Sequence, residues 1–167
     1  QTRSHSPEQT QKALATIERN AKLQVQLIDD LLDISRIMRG KLSLELTPVP
    51  LIEPIRAALE TVQLAAKVKL IEIETDLQLG IPPVLGDNSR LQQVVWNLLS
   101  NAIKFTPEGG LVSVRLKQVG GLVQFQVQDS GKGISPLFLP HLFELFSQQD
   151  SSTTRQFGGL GLGLAIA

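Results

Sequence analysis

The sequence predicts an α+β fold: a two-layer sandwich with helices on one face of a mixed, mostly antiparallel sheet, preceded by one long helix. Three observations carry that expectation. Residues 111–117 (LVSVRLK) and 122–128 (LVQFQVQ) alternate apolar and polar side chains, as strands with one buried and one wet face do. Residues 88–105 place Leu91, Val94, Val95, Leu98, Ala102 and Phe105 on one helical face. Residues 8–39 contain no glycine and no proline, so nothing interrupts a helix there.

Taken in order, QTRSHSP reads as a loop. Pro7 suits the first turn of a helix, where its missing N–H is no loss, and Glu8 favours the positive end of the dipole. Ile17, Ala21, Val25, Ile28 and Leu32 form one stripe along that helix. Leu27, Leu31, Ile34 and Met38 form a second beside it. Two stripes suit a helix packed among several others. Gly40 is a stop signal. The following KLSLELTPVPL is extended in character, because Pro48 and Pro50 forbid a continuing helix. A boundary is therefore expected at residues 40–48, dividing the chain into 1–40 and 41–167. Residues 51–67 read as helix. Residues 69–75 (KLIEIET) alternate, with Ile71, Ile73 and Thr75 on one side, and residues 80–87 (GIPPVLGD) read as a loop. Asn88 or Ser89 is expected to cap the next helix, which runs to about Phe105. TPEGG ends it, and VGG at 119–121 is a hairpin turn between the alternating segments. A doubly wound nucleotide fold is not expected.

Composition narrows the function. The 167 residues are 42% hydrophobic, enough for one domain with an appendage. Sixteen basic residues balance sixteen acidic ones, so no electrostatic footprint for nucleic acid exists. No stretch reads as a secretion signal or a membrane span. Cysteine is absent, and the two histidines, His5 and His141, lack metal-ligand spacing. A zinc enzyme or a serine–histidine hydrolase is not expected.

Four stretches carry chemistry. In NLLSNAIKFT (97–106), Asn97, Asn101 and Lys104 fall on one stripe of the helix. An amide oxygen is a hard ligand for Mg²⁺, and a lysine can neutralise phosphate. Alone, the stripe reads first as a solvated helix edge. In QDSGKGI (128–134), Asp129 ends a strand and Gly131 and Gly133 follow in alternate positions. The carboxylate can accept a hydrogen bond from an exocyclic amine, and glycines let backbone pass close to a flat ligand. By itself this reads first as an ordinary turn after a strand. FELFSQQDSSTTRQF (143–157) sets Phe143 and Phe146 as apolar anchors before a long polar run, a lid or a linker. FGGLGLGLAIA (157–167) is a glycine loop that turns apolar. It lacks the Lys-Ser/Thr of a P-loop and, counted from Gly161 and Gly163, has Ile166 where a dinucleotide fingerprint needs glycine. Loop amides before a helix still form an anion cradle.

An asparagine-bearing helix, an Asp-x-Gly-x-Gly turn, a paired-Phe segment and a glycine loop, in that order, resemble the four nucleotide-binding boxes of sensor histidine kinases. That family lies in the ATPase superfamily shared with gyrase, mismatch-repair proteins and the ninety-kilodalton chaperones. The resemblance covers nearly the whole chain. Residues 8–39, with LIDDLLDISRI near their end, resemble the second helix of the dimerisation and phosphotransfer hairpin. Residues 41–167 resemble most of the catalytic ATP-binding domain, the Bergerat fold. The resemblance implies that Asp129 accepts the adenine amine and that Gly131 and Gly133 line the adenine pocket. It implies that Asn101 holds Mg²⁺, with Asn97 beside it near the phosphates, and that Lys104 meets a phosphate. Phe143 and Phe146 would anchor the lid, Gly159, Gly161 and Gly163 would cradle the triphosphate, and Arg155 would reach it from the lid.

In the hydrolases of that superfamily the position matching Asn97 is typically glutamate. A neutral amide is not an effective general base. The site therefore suits positioning ATP for an external nucleophile, with Asn97 and Lys104 as the catalytic pair. The family's acceptor histidine sits in a His-Glu-x-x-x-Pro box on the preceding helix, and nothing here matches it. His5 is followed by Ser-Pro and is not expected to accept phosphate, and His141 in HLFELF is expected to be structural. The family also continues past the last helix with two more strands. The chain is thus expected to be a piece, truncated at both ends, of a larger kinase, a piece that does not phosphorylate itself. The resemblance implies ATP and Mg as ligands, a response-regulator receiver domain as partner, and a homodimer through residues 8–39 in the parent protein. It implies a cytoplasmic location, with membrane anchoring of the parent left open. Two other readings are an ATP-hydrolysing clamp, which Asn97 disfavours, and a non-enzymatic dimerisation module.

Overall fold

The structure, a computed structural model, describes residues 7–148 and 161–166. The loop expected at the start of the chain and the polar run after Gln148 lie outside the described residues. Contacts divide the chain into two units, Gln1–Leu42 and Ser43–Ala167.

The first unit is helix α1, Pro7–Met38. It ends where Gly40 takes φ of +61° and Lys41 N–H donates to Arg36 O at 2.8 Å. From the two apolar stripes, Ile17, Val25, Ile28, Leu31, Leu32 and Met38 are exposed, and Ile34 is buried.

The second unit begins with strand β1 (Thr47–Val49), helix α2 (Ile52–Val68) and strands β2 (Glu72–Leu77) and β3 (Val84–Gly86). Helix α3 (Asn88–Phe105) and the hairpin of β4 (Leu111–Val119) and β5 (Leu122–Asp129) follow. A 3-10 turn at Leu139–His141 and a short helix, α4 (Gly163–Ile166), are the remaining elements among the described residues. The main sheet has the order β2-β4-β5. β4 and β5 pair antiparallel from Val112↔Asp129 to Val119↔Leu122, closing at Gly120-Gly121 as the VGG signal requires. β2 and β4 pair parallel, Glu72↔Leu111 to Leu77↔Leu116, because α3 carries the chain back across the sheet between them.

Part of the segment expected to be a loop, GIPPVLGD, is strand. Val84–Gly86 pairs antiparallel with Thr47–Val49 in a separate two-stranded sheet. Both segments are short and proline-flanked, so neither shows an alternation that would reveal the pairing. Proline is tolerated because such a ribbon is all edge.

The core lies between the helices and one face of the main sheet. Ile55, Ala58, Leu59 and Val62 of α2 meet Val95, Leu99, Ala102 and Ile103 of α3 over Val112, Val114 and Leu116 of β4. The α3 face is thus rotated from expectation: Leu99 and Ile103 replace Leu91, Val94, Leu98 and Phe105 at its centre. Phe105 is 39% exposed, whereas Leu99 is fully buried. Val95, Leu99, Ala102 and Ile103 follow the i, i+4, i+7, i+8 rule, so the period was right and its phase was not.

Leu99→Ala is expected to cost about 3 kcal/mol in urea unfolding, since it opens a cavity at the centre of the helical layer. Phe105→Ala is expected to cost less than half of that. Equal costs would mean that the phase deduced from the sequence is correct.

Candidate functional site

α3 positions the site, and residues outside it hold both its ends. Asp87 caps the N-terminus: Oδ1 accepts the N–H of Ser89 at 3.0 Å and of Arg90 at 3.2 Å, and Oδ2 accepts Glu45 N–H at 3.1 Å. The backbone N–H of Glu45, followed by that of Arg90, holds the Asp87 carboxyl below its ordinary pKa. The cap is therefore not Asn88 or Ser89, which begin the helix. All three residue types are good caps, so composition could not choose among them. At the other end Lys69 Nζ donates to Ile103 O (2.7 Å), Lys104 O (3.1 Å) and Thr106 O (2.6 Å). A cation there also opposes the negative end of the helix dipole. No local signal marks Lys69, because its acceptors lie 34 to 37 residues away.

Asn97, Asn101 and Lys104 lie along one stripe of α3. Asn97 is buried (4% exposed), and its Nδ2 donates to Gly163 O at 2.9 Å. This bond joins the middle of α3 to the start of α4. Asn101 and Lys104 are half-buried. Lys104 Nζ lies 5.1 Å from the centre of the Phe105 ring, and burial lowers its pKa from 10.5.

The Asp129 turn packs against the far end of α3. Asp129 Oδ1 accepts Gly131 N–H at 2.9 Å, closing the turn. Asp129 is exposed, and its second carboxylate oxygen has no partner among the described residues. Gly131 is required by proximity: a Cβ there would stand 2.7 Å from Phe105 O and 2.6 Å from Asp129 Oδ1. Ser130 ties the same corner to β4, its N–H donating to Leu111 O (3.0 Å) and its Oγ accepting Leu111 N–H (2.9 Å). Gly133, at φ +70°, ends the turn, and Lys132 Nζ stands 6.0 Å from the Phe105 ring centre.

The side chains of the paired phenylalanines are exposed among the described residues. Phe143 is 68% exposed and Phe146 57%, because the chain runs through short turns and Phe146 takes φ of +62°. His141 is exposed too, with Nδ1 at 3.0 Å from Glu144 Oε1. The backbone of this segment, by contrast, is close to the glycine loop. Gly161, at φ +73°, sits where a Cβ would meet Ser147 O at 2.6 Å. Leu162 is buried beside it. Of the expected site residues, Arg155 and Gly159 lie outside the described residues, as does His5.

The arrangement offers a buried amide, a half-buried amide and a half-buried ammonium on one helix stripe, with a glycine-started helix against the first of them. An exposed carboxylate stands at the helix end. Among the described residues no group of three acidic or histidine side chains could enclose a metal. The donor set offers a cation one amide oxygen and leaves the rest of its shell to water and a ligand's own oxygens, which fits Mg²⁺ where phosphates supply most of the ligands. Among the described residues no helix is long and apolar enough to cross a membrane.

Residues 86–167 match the family described as histidine kinase-, DNA gyrase B- and HSP90-like ATPase. The chain is 40% identical over 184 aligned positions to hybrid signal transduction histidine kinase D of Dictyostelium discoideum, covering 92% of this chain and 12% of that protein. Full-length ShkA, solved with AMPPNP, superposes with a TM-score of 0.75 at 34% identity over 98% of this chain and 33% of its own. The mycobacterial sensor histidine kinase MprB superposes at 0.62 with 37% identity, over 72% of this chain and 74% of its own. The chain spans 12% to 21% of the length of three curated histidine kinases that it matches.

Gly131→Ala is expected to destabilise the fold by about 1–3 kcal/mol, because both close neighbours are held by α3 or by the turn itself. A melting temperature equal to the parent's would show that the turn can move away. Lys104 gives a pH signature. Its folded pKa lies below 10.5, so between that folded value and 10.5 the unfolded chain binds the extra proton. Stability contributed by this group therefore rises with pH across that window and stays level below it. Lys104→Gln is expected to remove the rise in denaturation curves measured through the alkaline range.

Proposed function

The chain belongs to the histidine kinases and carries their ATPase-type catalytic core; from that premise we propose that it binds Mg-ATP and orients the γ-phosphate for transfer to a histidine of the longer protein. The observation that carries this reading is the hydrogen bond from Asn97 Nδ2 to Gly163 O. It brings the helix stripe and the glycine segment, 66 residues apart in the chain, to one place.

The described residues take roles that their surroundings allow, and Arg155 and Gly159 take theirs from the order of the motifs alone. The open oxygen of Asp129 accepts the exocyclic amine of adenine, and Gly131 and Gly133 leave room for the ring. Burial lowers the pKa of Lys104, and a phosphate beside it would favour its charged form. Asn97 orients the phosphate end, and the amides of Gly159, Gly161 and Gly163, with Arg155, cradle it. The amide oxygen of Asn101 is the protein ligand for Mg²⁺. When bound, that ion supplies charge neutralisation between the phosphates. Asn97 offers no base to activate water, so the site favours transfer over hydrolysis.

In the longer protein the exposed apolar side chains of α1 support a homodimer through residues 8–39. The phosphoryl group then passes to the receiver domain of a response regulator. A cytoplasmic location, where ATP is available, completes the reading.

Mg-ATP titration by calorimetry tests it. The chain is expected to bind, and Asp129→Asn to weaken binding by at least about a factor of ten, since a buried amine loses its acceptor. Labelled phosphate is expected to move only to an added acceptor helix. Equal binding by Asp129→Asn, or steady phosphate release without an acceptor, would overturn it.

A further inference from the structure

The free edge of β2 lies above a groove. Glu72 N–H donates to Gly110 O and Gln78 N–H to Leu116 O, both at 2.9 Å, so the even-numbered residues turn their backbone groups toward β4. Ile73, Thr75 and Leu77 therefore turn theirs outward, because successive residues of a strand point opposite ways. Among the described residues β2 is the end strand of its sheet. A row of outward N–H and C=O groups is a template for one more strand.

The two faces of that edge differ in chemistry. On the helix side Thr75 and Leu77, with Ile52, Leu59, Arg56 and Leu79, line an open groove of ≈ 450 Å³. On the other side Glu72, Glu74 and Asp76 are all exposed. Lys117 engages Asp76 at 3.1 Å. Glu72 and Glu74 have no ion pair among the described residues.

We propose that the β2 edge is a docking site for an extended protein segment that alternates apolar and basic residues and joins the sheet beyond β2. Its main-chain groups bond to Ile73, Thr75 and Leu77. Its apolar side chains enter the groove beside Leu59 and Leu77, and its lysines or arginines stand next to Glu72 and Glu74. Charge selects this occupant. A second copy of β2 would set two rows of carboxylates side by side, and an acidic segment would do the same. The site is independent of the nucleotide reading, since Asp129 ends β5, on the opposite edge of the sheet.

The probe is a synthetic peptide alternating valine and lysine over about eight residues, an ordinary strand length. It is expected to bind the chain in calorimetric titration and to slow amide exchange at Ile73, Thr75 and Leu77. Thr75→Pro removes one outward N–H without touching the bonds to β4, and is expected to weaken binding by about tenfold or more. The double variant Glu72→Lys/Glu74→Lys, at exposed positions, is expected to do the same, and decides the matter if Thr75→Pro fails to fold. A peptide with glutamate in place of lysine is expected not to bind. No binding of the basic peptide, equal binding by the charge-reversed variant, or no added protection at the three amides would overturn the proposal.

Discussion

An aspartate carboxylate and a lysine ammonium, both from outside α3, hold that helix at its two ends. Asp87 takes two N–H groups of the first turn, and Lys69 takes two carbonyls of the last turn and that of Thr106 just beyond it. A helix end leaves such groups without partners, so both side chains answer a need that every helix has. Here they also fix where the helix lies. Glu45 ties the Asp87 end to the stretch before β1, and Lys69 ties the other end to the corner between α2 and β2. The Asn97–Asn101–Lys104 stripe thus inherits its direction from contacts that are not part of the site.

The rest of the site is assembled from what that helix leaves open. Its end is close enough to the Asp129 turn that only glycine fits at position 131. Its middle reaches α4 through one amide hydrogen bond. Between the two lies a lysine that is partly out of water and rests near an aromatic face. Partial burial disfavours its charged form, and a nearby anion favours it. The outward parts of the sheet follow a different rule: an acidic row, Glu72, Glu74 and Asp76, stands along the β2 edge, and like charges oppose pairing with a copy of itself.

Much of this was legible in the sequence, and the failures have physical causes. The β4–β5 hairpin could be read because alternation and a Gly-Gly turn are local signals. The extents of α2 and α3 could be read because apolar periodicity survives wherever a helix covers a core, and that of α1 because no glycine or proline interrupts residues 8–39. The order of the Asn97, Asp129 and glycine motifs was visible as well. The β1–β3 pair was not, since each partner is three residues long and the other lies far along the chain. The phase of the α3 face was missed because this helix is apolar on more than one side. Nothing near Lys69 hints at acceptors beyond position 100. The exposure of Phe143 and Phe146 escaped because large aromatics are ordinarily read as core.

The Lys69 corner also makes a demand of shape. Its three acceptors, the carbonyls of residues 103, 104 and 106, surround a single nitrogen at 2.6 to 3.1 Å. An ammonium has three protons in a tripod and can serve all of them at once. A guanidinium carries the same charge but spreads its donors in a plane around a larger group. The corner between α2 and β2 therefore discriminates between two cations by geometry alone. An exchange that looks conservative on paper would leave carbonyls of α3 unserved.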